Sequence, residues 1–261
     1  MTRYLAFILA LIFASISVAS ACSASGPHWL QFTLQQDRSS KDINATFEDS
    51  NAGGGVNQWS SGFTPTQLTG LDVMGFRARS SVPIRFAIVR EAGRLDCSGS
   101  GGNSRATGSC SFAADPTLSA LLESRGIGRP TQQEAFTLMA VDAHRELIDA
   151  LAQARFPTPR ITDVVTLSAR EVNGGYIRGL AQVSYRPTSL DSLVQFKALG
   201  ITPEYIGGFA RLGYRDISPD QLVQLKALDI TPEFVAAANR HAGSPRPVTE
   251  LVNRKIFGSR D

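Results

Sequence analysis

Residues 193–206, LVQFKALGITPEYI, recur as residues 222–235, LVQLKALDITPEFV, at an offset of 29. A unit this short cannot bury its own apolar face, so copies must stack on one another. Older copies lie at the same step. Tyr176 and Ile177 match Tyr205 and Ile206, Leu180 matches Phe209, and Tyr185 matches Tyr214. Residues 140–148 match 227–235, residues 115–118 match 202–205, and residues 251–258 match 222–229. The array is therefore expected over 115–258: a half repeat at 115–130, full units at 131–159, 160–188, 189–217 and 218–246, and a half repeat at 247–258.

Each unit reads as two short helices. Ser218 followed by Pro219 supplies a capping hydroxyl and a first-turn proline, and Thr202-Pro203 and Thr231-Pro232 do the same for the second helix. Thr131 with Glu134 forms a capping box. Gly200 and Gly213 sit where helices should end. Helices of about three turns are marginal alone, so rows such as Leu193 with Leu222 and Ile206 with Phe209 and Tyr214 must bury one another.

The stretch 27–114 has a different period. Residues 29–34, 43–47 and 84–89 read as strands, and Gly53-Gly54-Gly55, Ser61-Gly62, Ala92-Gly93 and residues 99–102 read as breakers. Residues 63–71 are a short helical turn or a loop. The fold class is thus α+β: a small antiparallel sheet followed by a solenoid-like array of helical hairpins. The half repeat starts a few residues after the last strand, so the array should dock directly on the sheet.

Two cysteines fix one register. Placing residues 95–99 against 108–112, with the hairpin tip at 100–107, sets Cys97 opposite Cys110, Leu95 opposite Phe112 and Gly99 opposite Gly108. All three pairs then share a face, because side chains alternate along a strand. A disulfide between Cys97 and Cys110 is expected, in keeping with an oxidising compartment.

The N-terminus points to export. Arg3, the apolar run 5–19 and the small-residue exit Ala19-Ser20-Ala21 are the parts of a signal peptide over 1–21. Residues 18–22 also resemble a bacterial lipoprotein cleavage box, with Ala19 where leucine is usual, which makes Cys22 a lipidation candidate. The same residues fit an ordinary Ala-x-Ala cleavage site, and a retained anchor helix is the third reading. The expected address is periplasmic, secreted or lipid-anchored to the envelope, with membrane contact only through Cys22.

The motif at 197–206, KALGITPEYI, and its copies resemble tandem repeats of uncharacterised bacterial exported proteins, also found behind some peptidases related to the BlaR-type membrane sensors. The resemblance covers roughly 112–258. It implies a binding or spacing module and nothing enzymatic, since the His-Glu-x-x-His helix of those peptidases is absent here.

Chemistry is sparse. The three histidines, His28, His144 and His241, lie near no nucleophile motif, and His144 falls on a helix-start position held by threonine in other copies. Residues 98–102 lack the frame and strand-to-helix setting of a nucleophile turn or phosphate cradle and read as a flexible hairpin tip. Glu204 and Glu233 sit in first turns that favour acids. Zinc spacings and calcium loops are absent, and no cofactor is expected. Asn44-Ala45-Thr46 is a glycosylation sequon that matters only in a eukaryotic host. Of the two tryptophans, Trp29 reads as core and Trp59, in a glycine-rich loop, as the better sugar-stacking candidate. Lys197 and Lys226 fall inside the apolar stripe, where their stems can snorkel and their ammonium groups reach free helix-end carbonyls.

With 26 basic and 23 acidic residues mixed along the chain and a formal charge of +3, there is no basic stripe for nucleic acid. The first functional reading is a non-enzymatic binding protein whose partner is a protein or envelope component. It would act through variable polar positions of the array: Gln195, Arg211, Arg215, Gln224 and Arg240. The second is a carbohydrate- or envelope-polymer-binding protein acting through the sheet, and the third a cryptic hydrolase.

Overall fold

The computed structural model describes residues 28–37, 39–49 and 57–258. The expected leader at 1–21, Cys22 and the glycines 53–55 lie outside the described residues. Six strands form one antiparallel sheet: β1 (His28–Gln35), β2 (Ile43–Asp49), β3 (Asn57–Phe63), β4 (Val82–Arg90), β5 (Gly93–Gly102) and β6 (Arg105–Ala114). Their order is β3-β2-β1-β6-β5-β4. Helices follow, so the chain is mixed α+β.

Alternation decides which face is buried. Leu30, Phe32 and Leu34 of β1, Ile43, Ala45 and Phe47 of β2, and Ile84, Phe86 and Ile88 of β4 all point into the core. Cys97 pairs with Cys110, Leu95 with Phe112 and Gly99 with Gly108, and the cysteine sulfurs lie at bonding distance, 2.01 Å. The glycine pair makes room for an aromatic ring: a Cβ on Gly108 would stand 2.7 Å from Phe32 Cε1.

Three local expectations are corrected. The hairpin tip is not 100–107, because pairing continues to Gly102 opposite Arg105. Only Asn103 and Ser104 turn the chain, at φ 52° and 61°, the positive values that a two-residue hairpin requires. Residues 98–102 are therefore strand and not a flexible tip. The stretch around Ser61-Gly62 is also strand, since Phe47 and Trp59 stack at 4.8 Å between β2 and β3 and Thr46 bonds Ser60. Finally, α1 (Val73–Arg77), capped by Asp72, escapes the sequence reading; it drives Phe76 into the core. Residues 63–71 hold a 3-10 turn (Pro65–Gln67) and then run along β4, with Thr69 and Ala87 exchanging hydrogen bonds.

After β6 come α2 (Pro116–Ser124), α3 (Gln132–Ala140), α4 (Arg145–Gln153), α5 (Ile161–Ala169), α6 (Gly174–Gln182) and α7 (Leu190–Ala198). Then follow α8 (Pro203–Arg211), α9 (Pro219–Ala227), α10 (Pro232–Ala238) and α11 (Val248–Phe257). The N-cap residues fall in two series that each step by 29. One is Thr131, Arg160, Ser189, Ser218 and Pro247. The other is Asp115, His144, Asn173, Thr202 and Thr231. Helix ends keep the same step: Gly126, Arg155, Ser184 and Gly213, and Asp142, Glu171, Gly200 and Asp229, all have positive φ. The next amide then closes the helix end, as when Ile201 donates to Phe196 O and Ile230 to Leu225 O, both at 2.8 Å.

Contacts between helices also recur. Successive members of α2, α4, α6, α8 and α10 touch, as do those of α3, α5, α7 and α9. Tyr176 and Tyr205 donate their hydroxyls to Ile201 O and Ile230 O, each at 2.7 Å. Tyr185 and Tyr214 donate to Ile217 O and Arg246 O, at 3.1 and 2.7 Å. Gly179 faces Pro203 and Gly208 faces Pro232, so a bare backbone receives each proline ring.

The helices dock on the sheet without a linker. Phe136 of α3 sits edge-on to Phe112 at 5.5 Å and to Trp59 at 6.2 Å. Arg90 donates to Met139 O and Ala140 O at 2.8 Å, with its guanidinium 5.4 Å from the Trp59 ring centre. Sheet and helices share one continuous apolar core.

Candidate functional site

The helices enclose two grooves that are copies of each other. The first, of about 260 Å³, lies between the end of α4 and α6. The second, of about 460 Å³, lies between the end of α6 and α8. Their walls correspond at the 29-residue step: Ala154 with Val183, Phe156 with Tyr185, Ile177 with Ile206, Ala181 with Ala210, Tyr185 with Tyr214, and Arg186 with Arg215. Each groove thus has an aliphatic floor, an aromatic ring at either side and an arginine at the rim.

Local structure explains the geometry. The positive φ at Arg155, Ser184 and Gly213 swings the chain out of each second helix, placing Phe156, Tyr185 and Tyr214 at the groove edge. Tyr185 is anchored by its hydroxyl, and burial pushes that phenol up to about 12, so it stays a hydrogen-bond donor at neutral pH. Tyr214 is held between Arg246 O and the Asn239 side chain. Arg186 lies 5.8 Å from the Phe156 ring centre and donates to Arg155 O. Arg211 passes over the bare face of α8, where a Cβ on Gly207 would lie 3.6 Å from its Nη1. All charged side chains lining the two grooves are arginines: Arg186 in the first, Arg211 and Arg215 in the second.

Of the positions singled out from the sequence, Arg211 and Arg215 come together at the second groove. Arg240 is exposed one repeat step beyond Arg211. Gln195 and Gln224 are exposed on α7 and α9, in the other row of helices, and line neither groove. Phe156, Tyr185 and Arg186 were missed. Aligning the copies at 29 residues carries the signal for them.

Other expectations shift. Lys197 and Lys226 do not reach for carbonyls; their ammonium groups face the Tyr176 and Tyr205 rings at 5.4 and 4.9 Å. Lys255 repeats the contact on Phe234 at 5.4 Å and also donates to Asp229 O. His144 occupies a cap position but makes no capping bond; its Nδ1 lies 3.2 Å from Glu91 Oε1. Glu91 caps α4 in its place, accepting from the Arg145 amide at 2.8 Å. Glu204 and Glu233 are exposed in first turns. Its own amide and the Thr202 hydroxyl hold Glu204 below the usual carboxylate value, while the Thr231 hydroxyl and its own amide do so for Glu233.

The tryptophans exchange roles. Trp59 is half-buried at the junction of sheet and helices, whereas Trp29 is 52% exposed. Among the described residues no cluster of His, Cys, Asp and Glu is arranged to hold a metal ion, and no helix is long and apolar enough to cross a membrane. Comparison with family models, with curated proteins and with solved structures finds no match to this chain.

Proposed function

We propose that the chain is an exported, non-enzymatic binding protein whose helical repeats form a solenoid-like array that holds an extended partner segment. One observation carries this reading: the same groove occurs twice, one repeat apart, with corresponding aromatic, aliphatic and arginine walls. Serial copies of a subsite suit a ligand that runs along the array, contacting each in turn. The apolar floors would take side chains and the arginines would pair with carboxylates or other anions of the partner. Open, shallow grooves offer little of the enclosure that catalysis uses. The Cys97–Cys110 pairing and the leader-like N-terminus support the exported address.

The test is charge reversal inside and outside the grooves. A partner captured from envelope extract should lose most of its binding to the Arg211→Glu, Arg215→Glu double variant, with helical content and melting unchanged. Gln195→Glu and Gln224→Glu, away from the grooves, should leave binding intact. Binding that survives the arginine changes, or falls equally with the glutamine ones, contradicts the reading.

A further inference from the structure

The outer face of the sheet carries a feature independent of the grooves. Trp29 is the exposed tryptophan, and it stands over a hollow of about 440 Å³ on the side of the sheet facing away from the core. Strand register sets what lies beside it. Across β1, β6 and β5, Trp29 pairs with Ser111 and Ser111 with Asp96; one row along, Ser109 pairs with Ser98, and Ser98 with Arg85 of β4. Neighbouring strands lie about 5 Å apart, so these groups form rows at that interval. Asp96 is held in place by Arg94, at 2.7 Å. Thr69 and Gly70, on the segment bridged to Ala87, form the far wall.

We infer that this hollow is a sugar-binding site, with Trp29 as the platform for a pyranose ring and Ser98, Ser109, Ser111, Asp96 and Arg85 as partners for its hydroxyls. An exposed indole offers a rigid apolar plane for the C–H face of a sugar. The small hydroxyls give donors and acceptors without filling the floor. A peptide strand finds little here, since the backbone groups beneath are already paired in the ladder and no deep apolar pocket receives a side chain. Strand spacing close to the width of a pyranose favours an oligosaccharide running across the strands.

The experiment uses the full chain, whose two tryptophans differ in environment. The probes are hexasaccharides of β-1,4-glucose, β-1,4-N-acetylglucosamine and α-1,4-glucose, together with soluble peptidoglycan strands. At least one should shift the Trp29 emission, read as the difference between the protein and Trp29→Ala. Trp29→Ala should weaken that binding by about ten-fold or more, with Trp29→Phe recovering part of it. Ser98→Arg, which fills the floor and leaves the indole in place, should abolish it even if the alanine variant folds poorly. No shift with any of the four probes overturns the inference, as does sugar binding unchanged in Trp29→Ala or Ser98→Arg. An indole already shielded from acrylamide in the ligand-free chain also overturns it, because the face would then be covered.

Discussion

The Glu91 carboxylate, on the turn between β4 and β5, accepts a hydrogen bond of 2.8 Å from the backbone N–H of Arg145, the first residue of α4. A residue of the sheet therefore caps a helix of the array. The Arg145 guanidinium and the His144 ring meet the same carboxylate, at 3.1 and 3.2 Å. Burial works to raise the Glu91 pKa, but the Arg145 amide, His144 and the Arg145 side chain outweigh it and hold it below the ordinary 4.5.

This cap has a pH signature. Because the folded pKa is lowered, the stabilisation is complete above about pH 4.5 and is lost as pH falls through the lower folded value. Glu91→Gln should cost about 1 kcal/mol at pH 7, the usual scale for losing a cap. Urea denaturation of protein and variant at pH 7 and pH 3 checks it: the difference should shrink at the lower pH.

Gly208 and Pro232 provide a test of packing between successive helices. A Cβ on Gly208 would lie 2.5 Å from Pro232 Cγ. Alanine gains about 1 kcal/mol of helix propensity over glycine, but overpacking a stiff ring costs about 1–3 kcal/mol, so the clash wins. Gly208→Ala should lower stability by about 1 kcal/mol, and adding Pro232→Ala should restore part of it. A thermal-melt double-mutant cycle measures that coupling.

Helix ends predict opposite signs at corresponding sites. Glu171 and Gly200 are one repeat apart and share the left-handed conformation, at φ 57° and 65°. A residue with a Cβ is strained there by about 1–2 kcal/mol, less what glycine loses in chain entropy. Glu171→Gly should therefore stabilise by about 0.5–1 kcal/mol and Gly200→Ala destabilise by about as much, read from denaturation midpoints.

The sheet register and the phase of the helices were legible because both rest on strict periods. Two-residue alternation put Cys97 opposite Cys110, and the 29-residue step placed helix caps such as Thr131, Thr202 and Ser218. Trp29 was misread although the signal was present: Leu30, Phe32 and Leu34 share one parity, and Trp29 has the other. Trp59 was hidden by its glycine-rich neighbourhood, and only its stacking on Phe47 makes that stretch a strand. The capping of α4 by Glu91 joins residues 54 apart and has no local trace. The grooves escaped for a similar reason. Phe156, Tyr185 and Tyr214 are ordinary aromatics one at a time, and become a row only when the copies pack.

Site-specific photo-crosslinking at corresponding positions tests partner binding along that row most directly. Ala181 and Ala210 line the first and second grooves, while Ala198 and Ala227 are exposed on the other row of helices. With a photoreactive phenylalanine at each site in turn and envelope extract as the source of partner, positions 181 and 210 should capture the same species and positions 198 and 227 should not. Capture at 198 and 227 with none at 181 and 210 would contradict a partner that runs along the grooves.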